Sequence, residues 1–164
     1  MTREHPPWWR GARGEWYVAV QAVLTALVFL GPRTVPFLPA WPAAEAPGWR
    51  VAGAALMLVG GGILAACAVR HGRRLTPLPH PQAQARLIAS GPYAVVRHPM
   101  YAAGILAALG WALLVRGWLT LGYAVLLFLF ADRKASREER WLAGKFPDYA
   151  EYRRRVRKLI PFLY

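Results

Sequence analysis

The residues best suited to chemistry gather in two short segments. The first is Ser90-Gly91-Pro92-Tyr93-Ala94-Val95-Val96-Arg97-His98-Pro99-Met100-Tyr101. Gly91-Pro92 marks a turn. Pro99 suits the first position of a helix, where its missing N–H costs nothing. The amides of Met100 and Tyr101 are then expected as unpaired donors at a helix N-terminus, flanked by Arg97 and His98. Such a place accepts a carboxylate or a phosphate. The plainer reading is an interfacial arginine beside a helix-capping turn.

The second segment is Asp132-Arg133-Lys134-Ala135-Ser136-Arg137-Glu138-Glu139-Arg140-Trp141-Leu142. Lys134 and Glu138 stand four apart and share a helix face. The plainer reading is a solvated, salt-bridged helix end. No Gly or Pro separates this segment from the apolar run before it. One helix is therefore expected from about residue 118 to 143, roughly 39 Å at 1.5 Å per residue. That is longer than the ~30 Å hydrocarbon core of a bilayer. Its last turns would project from the membrane on the same side as Arg97 and His98.

The elements that must position these segments are read from charge and hydropathy. The 164 residues are 56% apolar yet carry a formal charge of +13. Both hold because the two kinds of residue are segregated. Residues 51–69, 100–115 and 117–131 contain no charged side chain. The pattern excludes a disordered chain, and one cysteine (Cys67) excludes a disulfide-stapled domain. It also argues against an ordinary soluble α/β enzyme. The expected fold is an all-α integral membrane protein, one domain over 1–164, with about four transmembrane helices at 16–30, 51–69, 100–115 and 117–131. Trp8, Trp9, Trp41 and Trp49 suit the membrane interface. The proline-rich 31–48 stretch is a non-helical connector. Arg116 alone separates the last two runs, so they form a tight hairpin.

Eighteen of the 21 basic residues fall before the first run, between the second and third, or after the fourth. The positive-inside rule then puts both termini and the 70–98 loop in the cytoplasm. After Gly144, apolar residues recur at Phe146, Tyr149, Tyr152, Val156 and Ile160, opposite Arg153, Arg154, Arg155, Arg157 and Lys158. This predicts cytoplasmic helices through 132–160, ending in a basic amphipathic helix that lies on the membrane and covers the site. Gly60-Gly61-Gly62 reads as close helix packing, as does Cys67. The histidines at 5, 71, 80 and 98 have no metal-ligand spacing, so no metal is expected. Aromatics are not interleaved with a basic platform, so no nucleic acid is expected.

The two segments together resemble the superfamily of isoprenylcysteine carboxyl methyltransferases and phospholipid methyltransferases, integral membrane enzymes. The first motif of that family appears here as Gly91-Pro92-Tyr93 and Arg97-His98-Pro99-Met100-Tyr101. The second appears as Glu138-Glu139-Arg140-Trp141-Leu142, followed by Phe146, Tyr149, Tyr152 and Leu159-Ile160-Pro161. The match covers about residues 85–161. One departure is Ala103, where the family usually has Gly. The resemblance implies S-adenosylmethionine as methyl donor, held on the cytoplasmic side. Carried over, its site would be Tyr93, His98, Pro99, Met100, Tyr101 and Glu138, with backbone contacts from Ala85-Arg86-Leu87-Ile88. Arg97 would suit the donor's carboxylate. Lys134 aligns with a basic position near the acceptor, where it could hold an anionic nucleophile. His98 or Glu139 could serve as base for an amine or thiol. The acceptor implied is a lipidic or hydrophobic small molecule entering from the bilayer. The excess of Arg over Lys (18 against 3) suggests a GC-rich bacterial genome and an inner-membrane location. Two other readings stand beside this one. A reductase-like relative would use a nicotinamide cofactor, and a non-enzymatic protein would bind anionic membrane lipids through its basic tail.

Overall fold

The fold is described from a computed structural model covering residues 14–42, 46–72 and 87–164. Among these residues six helices follow in order: α1 (Glu15–Leu30), α2 (Ala46–His71), α3 (Pro92–Val95), α4 (Pro99–Val115), α5 (Trp118–Lys145) and α6 (Tyr149–Arg155). No strand occurs among the described residues; one parallel bridge joins Val96 to Arg157. The all-α expectation therefore holds. Ala85, Arg86, His5, His80, Trp8 and Trp9 lie outside the described residues.

Helix α2 starts five residues earlier than the 51–69 run implied, because Pro47 takes a first-turn position instead of breaking the helix. Pro47–His71 is long and apolar enough to cross a membrane, and only 17% of its most apolar stretch is buried. A core helix of a soluble protein would be mostly covered. The other expected spans are apolar but shorter, 16 residues in α1 and 17 in α4. Helix α5 runs 28 residues, apolar at first and charged from Asp132 onward. Leu30, Val51, Leu58, Val69, Leu126 and Leu129 stand exposed on α1, α2 and α5.

Small residues decide how α2 and α4 meet. A Cβ added at Gly53 would stand 2.6 Å from the Gly110 carbonyl oxygen, and one at Gly110 would stand 2.6 Å from that of Gly53. One at Gly60 would stand 2.7 Å from the Ala103 carbonyl. The two helices thus run antiparallel with their backbones in contact. Gly53, Gly60 and Cys67, spaced seven apart, form the buried seam of α2. Of the 60–62 triplet only Gly60 packs; Gly61 and Gly62 face open space. Ala103 is fully buried in this seam.

Arg116 ends α4 in the left-handed region (φ 53°), and Gly117 starts the turn into α5. Helix α1 lies antiparallel to α5, with Tyr17 near Phe130 and Gly31 near Tyr123. Val28, Ala108, Ala124 and Leu127 form the core between α1, α4 and α5. At the end remote from Arg97, Trp41 packs on Trp49 and Trp118, and the Trp118 indole donates to the Pro39 carbonyl (2.9 Å).

The C-terminal expectation needs correction. Helix α6 has seven residues and stops at Arg155. Val156 is extended, and the chain then runs beside Val96–His98 as a strap. Arg97 N–H donates to the Arg157 carbonyl (2.7 Å) and His98 N–H to that of Lys158 (3.1 Å). These two donors precede α4 and have no helical acceptor. Supplying acceptors for them is what breaks the amphipathic periodicity. Lys158, expected on the solvent face, is 9% exposed and bonds Asp132 and Ser136.

Candidate functional site

The site sits where the start of α4 meets the projecting half of α5. The amide of Tyr101 is not free as the sequence suggested, since it donates to the His98 carbonyl (3.1 Å). The imidazole of His98 is buried between two carboxylates. Its Nε2 lies 3.1 Å from Glu139 Oε1, and its Nδ1 lies 3.7 Å from Glu138 Oε2. The Tyr101 hydroxyl donates to Glu138 Oε2 at 2.9 Å, and its ring stacks on His98. The two sequence motifs thus converge through four side chains.

Glu138 and Glu139 are neighbours in sequence but occupy different environments. Glu139 is 7% exposed and receives Arg97 Nε at 2.8 Å as well as His98. Burial disfavours its charge. The hydrogen bonds and charges of His98 and Arg97 outweigh that and hold its carboxyl down at about 2. Glu138 is 26% exposed, so it is the carboxylate of the pair that can meet a ligand.

Arg97 is committed inside the protein. Besides Glu139 it donates through Nη1 to the carbonyls of Val156 and Arg153. It clamps the strap to α5. Lys134 is 1% exposed; its Nζ donates to Gln21 Oε1 of α1 at 2.6 Å and lies 5.3 Å from the Tyr101 ring centre. Burial lowers its pKa, against the opposing pull of Glu138.

The turn before α4 is built by α2. Gly91 has φ 64°, and a Cβ there would stand 2.3 Å from Arg70 Nε. Arg70 donates to Ser90 Oγ (2.7 Å). His71 packs against Tyr93, 5.4 Å between ring centres. The Tyr152 hydroxyl of α6 donates to the Tyr93 carbonyl (2.6 Å), and burial pushes its pKa up to about 12. Tyr149 is buried, and its hydroxyl has no partner among the described residues. Leu87 and Ile88 lead into this turn, half-buried, and Pro99 and Met100 open α4.

The structure therefore brings Arg97, His98, Tyr101, Lys134, Glu138 and Glu139 together, with Tyr93 reaching the same end through α6 and the end of α2. Sequence reasoning missed Gln21, Arg70 and His71. Gln21 and Thr25 are the two polar residues in the first apolar run, and Gln21's amide was its available signal. Among the described residues no group of three His, Cys, Asp or Glu is placed to hold a metal ion.

A helical bundle with one long, apolar and largely uncovered helix and a His–Glu–Glu–Tyr cluster at one end defines the class. The chain belongs to the phospholipid methyltransferase family, whose sequence model matches residues 49–148. Over 78 residues it is 36% identical to the cobalt-zinc-cadmium resistance protein CzcN of Cupriavidus metallidurans, covering 47% of this chain and 36% of that protein. Over 79 residues it is 35% identical to the protein-S-isoprenylcysteine O-methyltransferase of Schizosaccharomyces pombe, covering 47% of this chain and 34% of that protein. The chain thus spans about a third of the length of each of these relatives.

Proposed function

We propose that this chain is an S-adenosylmethionine-dependent methyltransferase. Its acceptor is a lipidic or hydrophobic small molecule bearing a carboxylate, amine or thiol. It works at the cytoplasmic face of a bacterial inner membrane, crossed by α1, α2, α4 and the apolar half of α5, with both termini inside. The observation that carries this reading is the Tyr101–Glu138 hydrogen bond (2.9 Å), which joins the two family motifs at one end of the bundle. Membership of the family and the exposed apolar surface of α2 support it.

The donor set fits the cofactor. Glu138, part-exposed, can accept from an ammonium or a ribose hydroxyl. The faces of Tyr93 and Tyr101 suit a sulfonium or an adenine. Leu87, Ile88, His98, Pro99 and Met100 frame the same corner. S-Adenosylmethionine supplies, when bound, an activated methyl group for in-line displacement. The chain's residues then have to align and to exclude water. Lys134, dry and held by Gln21, is suited to steady an anionic nucleophile. His98 can take the proton of an amine or thiol. Glu139 stays ionised and orients His98. Arg97 acts as a positioning residue in place of a ligand for the donor's carboxylate, because its guanidinium already serves Glu139 and the strap.

The test is calorimetric binding of S-adenosylmethionine, or of its demethylated product, to detergent-purified protein. Micromolar binding is expected in the native sequence and its loss in Glu138→Gln and His98→Ala. No binding by well-folded protein would sink the reading.

A further inference from the structure

The C-terminal strap leaves a groove of about 470 Å³ beside α5. Its α5 wall is Ser136, Glu139, Arg140 and Ala143. These stand at helical spacing on one face, distinct from the face of Lys134 and Glu138. The strap and α6 supply Arg153, Arg157 and Lys158, and Arg97 and Tyr164 also line the groove. Five cationic side chains thus border the space, against one acidic side chain, that of Glu139.

Two of the five are already neutralised, Arg97 by Glu139 and Lys158 by Asp132. Arg153 reaches Glu139 only at 3.7 Å. Arg140 and Arg157 are exposed and have no acceptor among the described residues. Guanidiniums gathered this way repel one another unless an anion lies between them. Their planar forks match the oxygens of a phosphate.

The rim says where the phosphate comes from. Leu163 lines the groove and is 76% exposed, and Phe162 beside it is 93% exposed. Phe162 is held at φ 63°, in the left-handed region that non-glycine residues seldom adopt. An aromatic ring kept outward at the edge of a cationic groove is an arrangement suited to the boundary between headgroups and acyl chains.

We propose that this groove binds the phosphate of an anionic phospholipid headgroup, with Phe162 and Leu163 at the acyl boundary. The site is separate from the His98–Glu138 cluster and shares only the Arg97–Glu139 wall with it. The proposal rests on the membrane reading above and not on methyl transfer.

The experiment is native mass spectrometry of the full chain in neutral detergent, presented with equimolar phosphatidylglycerol and phosphatidylcholine. Phosphatidylglycerol is expected to be retained at least tenfold over phosphatidylcholine. The double variant Arg140→Gln/Arg157→Gln is expected to lose that preference with unchanged circular dichroism. If the double variant does not fold, Arg140→Gln alone carries the test, with about a threefold loss expected. Equal retention of the two lipids overturns the site, as does a preference that survives the substitutions. Displacement of phosphatidylglycerol by equimolar inorganic phosphate overturns the lipid source. Extraction of the chain from cells without detergent overturns the membrane reading itself, and is checked before any lipid is added.

Discussion

Arg97 Nε stands 2.8 Å from Glu139 Oε1, and the two residues lie 42 positions apart in the chain. This bond closes the loop between the start of α4 and the middle of the projecting half of α5. Both side chains are nearly dry, 9% and 7% exposed. Removing one partner therefore leaves the other a buried charge without its nearest counter-charge. Breaking such a pair from one side costs about 3–5 kcal/mol. Glu139→Gln and Arg97→Met should each lower the melting temperature sharply, and denaturant unfolding of the purified variants measures the loss.

The same pair sets an acid limit on stability. The Glu139 carboxyl is held at about 2, below its ordinary value of 4.5. A depressed carboxyl contributes stability that is fully present above the unfolded value and is lost as pH falls through the folded one. The window is therefore from about pH 4.5 down to about 2. The unfolding free energy should fall across it by an amount on the order of 3 kcal/mol, read from denaturant unfolding at a series of pH values. Glu139→Gln should flatten that slope. An unaltered slope in the variant would assign the acid sensitivity to other groups.

Much of this architecture is legible in the sequence, and its limits are physical. Hydropathy placed α1, α4 and α5 within a residue or two at most ends, because each is bounded by a charge, a Gly or a Pro. The motif residues from Arg97 to Tyr101 and from Lys134 to Glu139 stand out through the resemblance to a family, supported by their expected place at the same end of two neighbouring helices. What could not be read is pairing at long range. Gln21 and Lys134 are 113 positions apart, and nothing local announces that bond. The strap defeats periodicity for the same reason, since the orphan amides of Arg97 and His98 claim its carbonyls. Likewise a run of three glycines does not tell which one faces the neighbouring helix.

That last point is testable within the triplet. A methyl at Gly60 meets the Ala103 carbonyl at 2.7 Å, whereas a methyl at Gly61 meets nothing within 4 Å. Gly60→Ala should cost about 1–3 kcal/mol through overpacking of α2 against α4. Gly61→Ala should be neutral or stabilise by up to about 1 kcal/mol through helix propensity. Thermal unfolding of the two variants in the same detergent compares them directly.

The buried Lys134 ammonium depends on α1. Gln21→Leu removes its 2.6 Å acceptor and should cost about 1–3 kcal/mol, the penalty for a buried donor left short of a partner. In a Lys134→Met background the same change should cost far less. A double-mutant cycle by chemical denaturation isolates this coupling, and a value near zero would show that the two residues are merely adjacent.

The turn that carries Tyr93 is held from above by α6. The Tyr152 hydroxyl donates to the Tyr93 carbonyl at 2.6 Å, and Tyr152 itself is 9% exposed. Tyr152→Phe keeps the ring and its packing on Tyr149 and removes one hydrogen bond, a loss of about 1 kcal/mol in global stability. The local effect should be larger than the global one, because residues 90–96 contain only the four-residue helix α3 and are otherwise held by side chains of α2 and by the Val96–Arg157 bridge. Amide hydrogen exchange should rise in that segment and stay unchanged in α4 and α5. Affinity for S-adenosylmethionine should fall several-fold, since Tyr93 would no longer be presented in one position. Faster exchange without weaker binding would remove Tyr93 from the proposed cofactor site and leave Glu138 and Tyr101 to carry it.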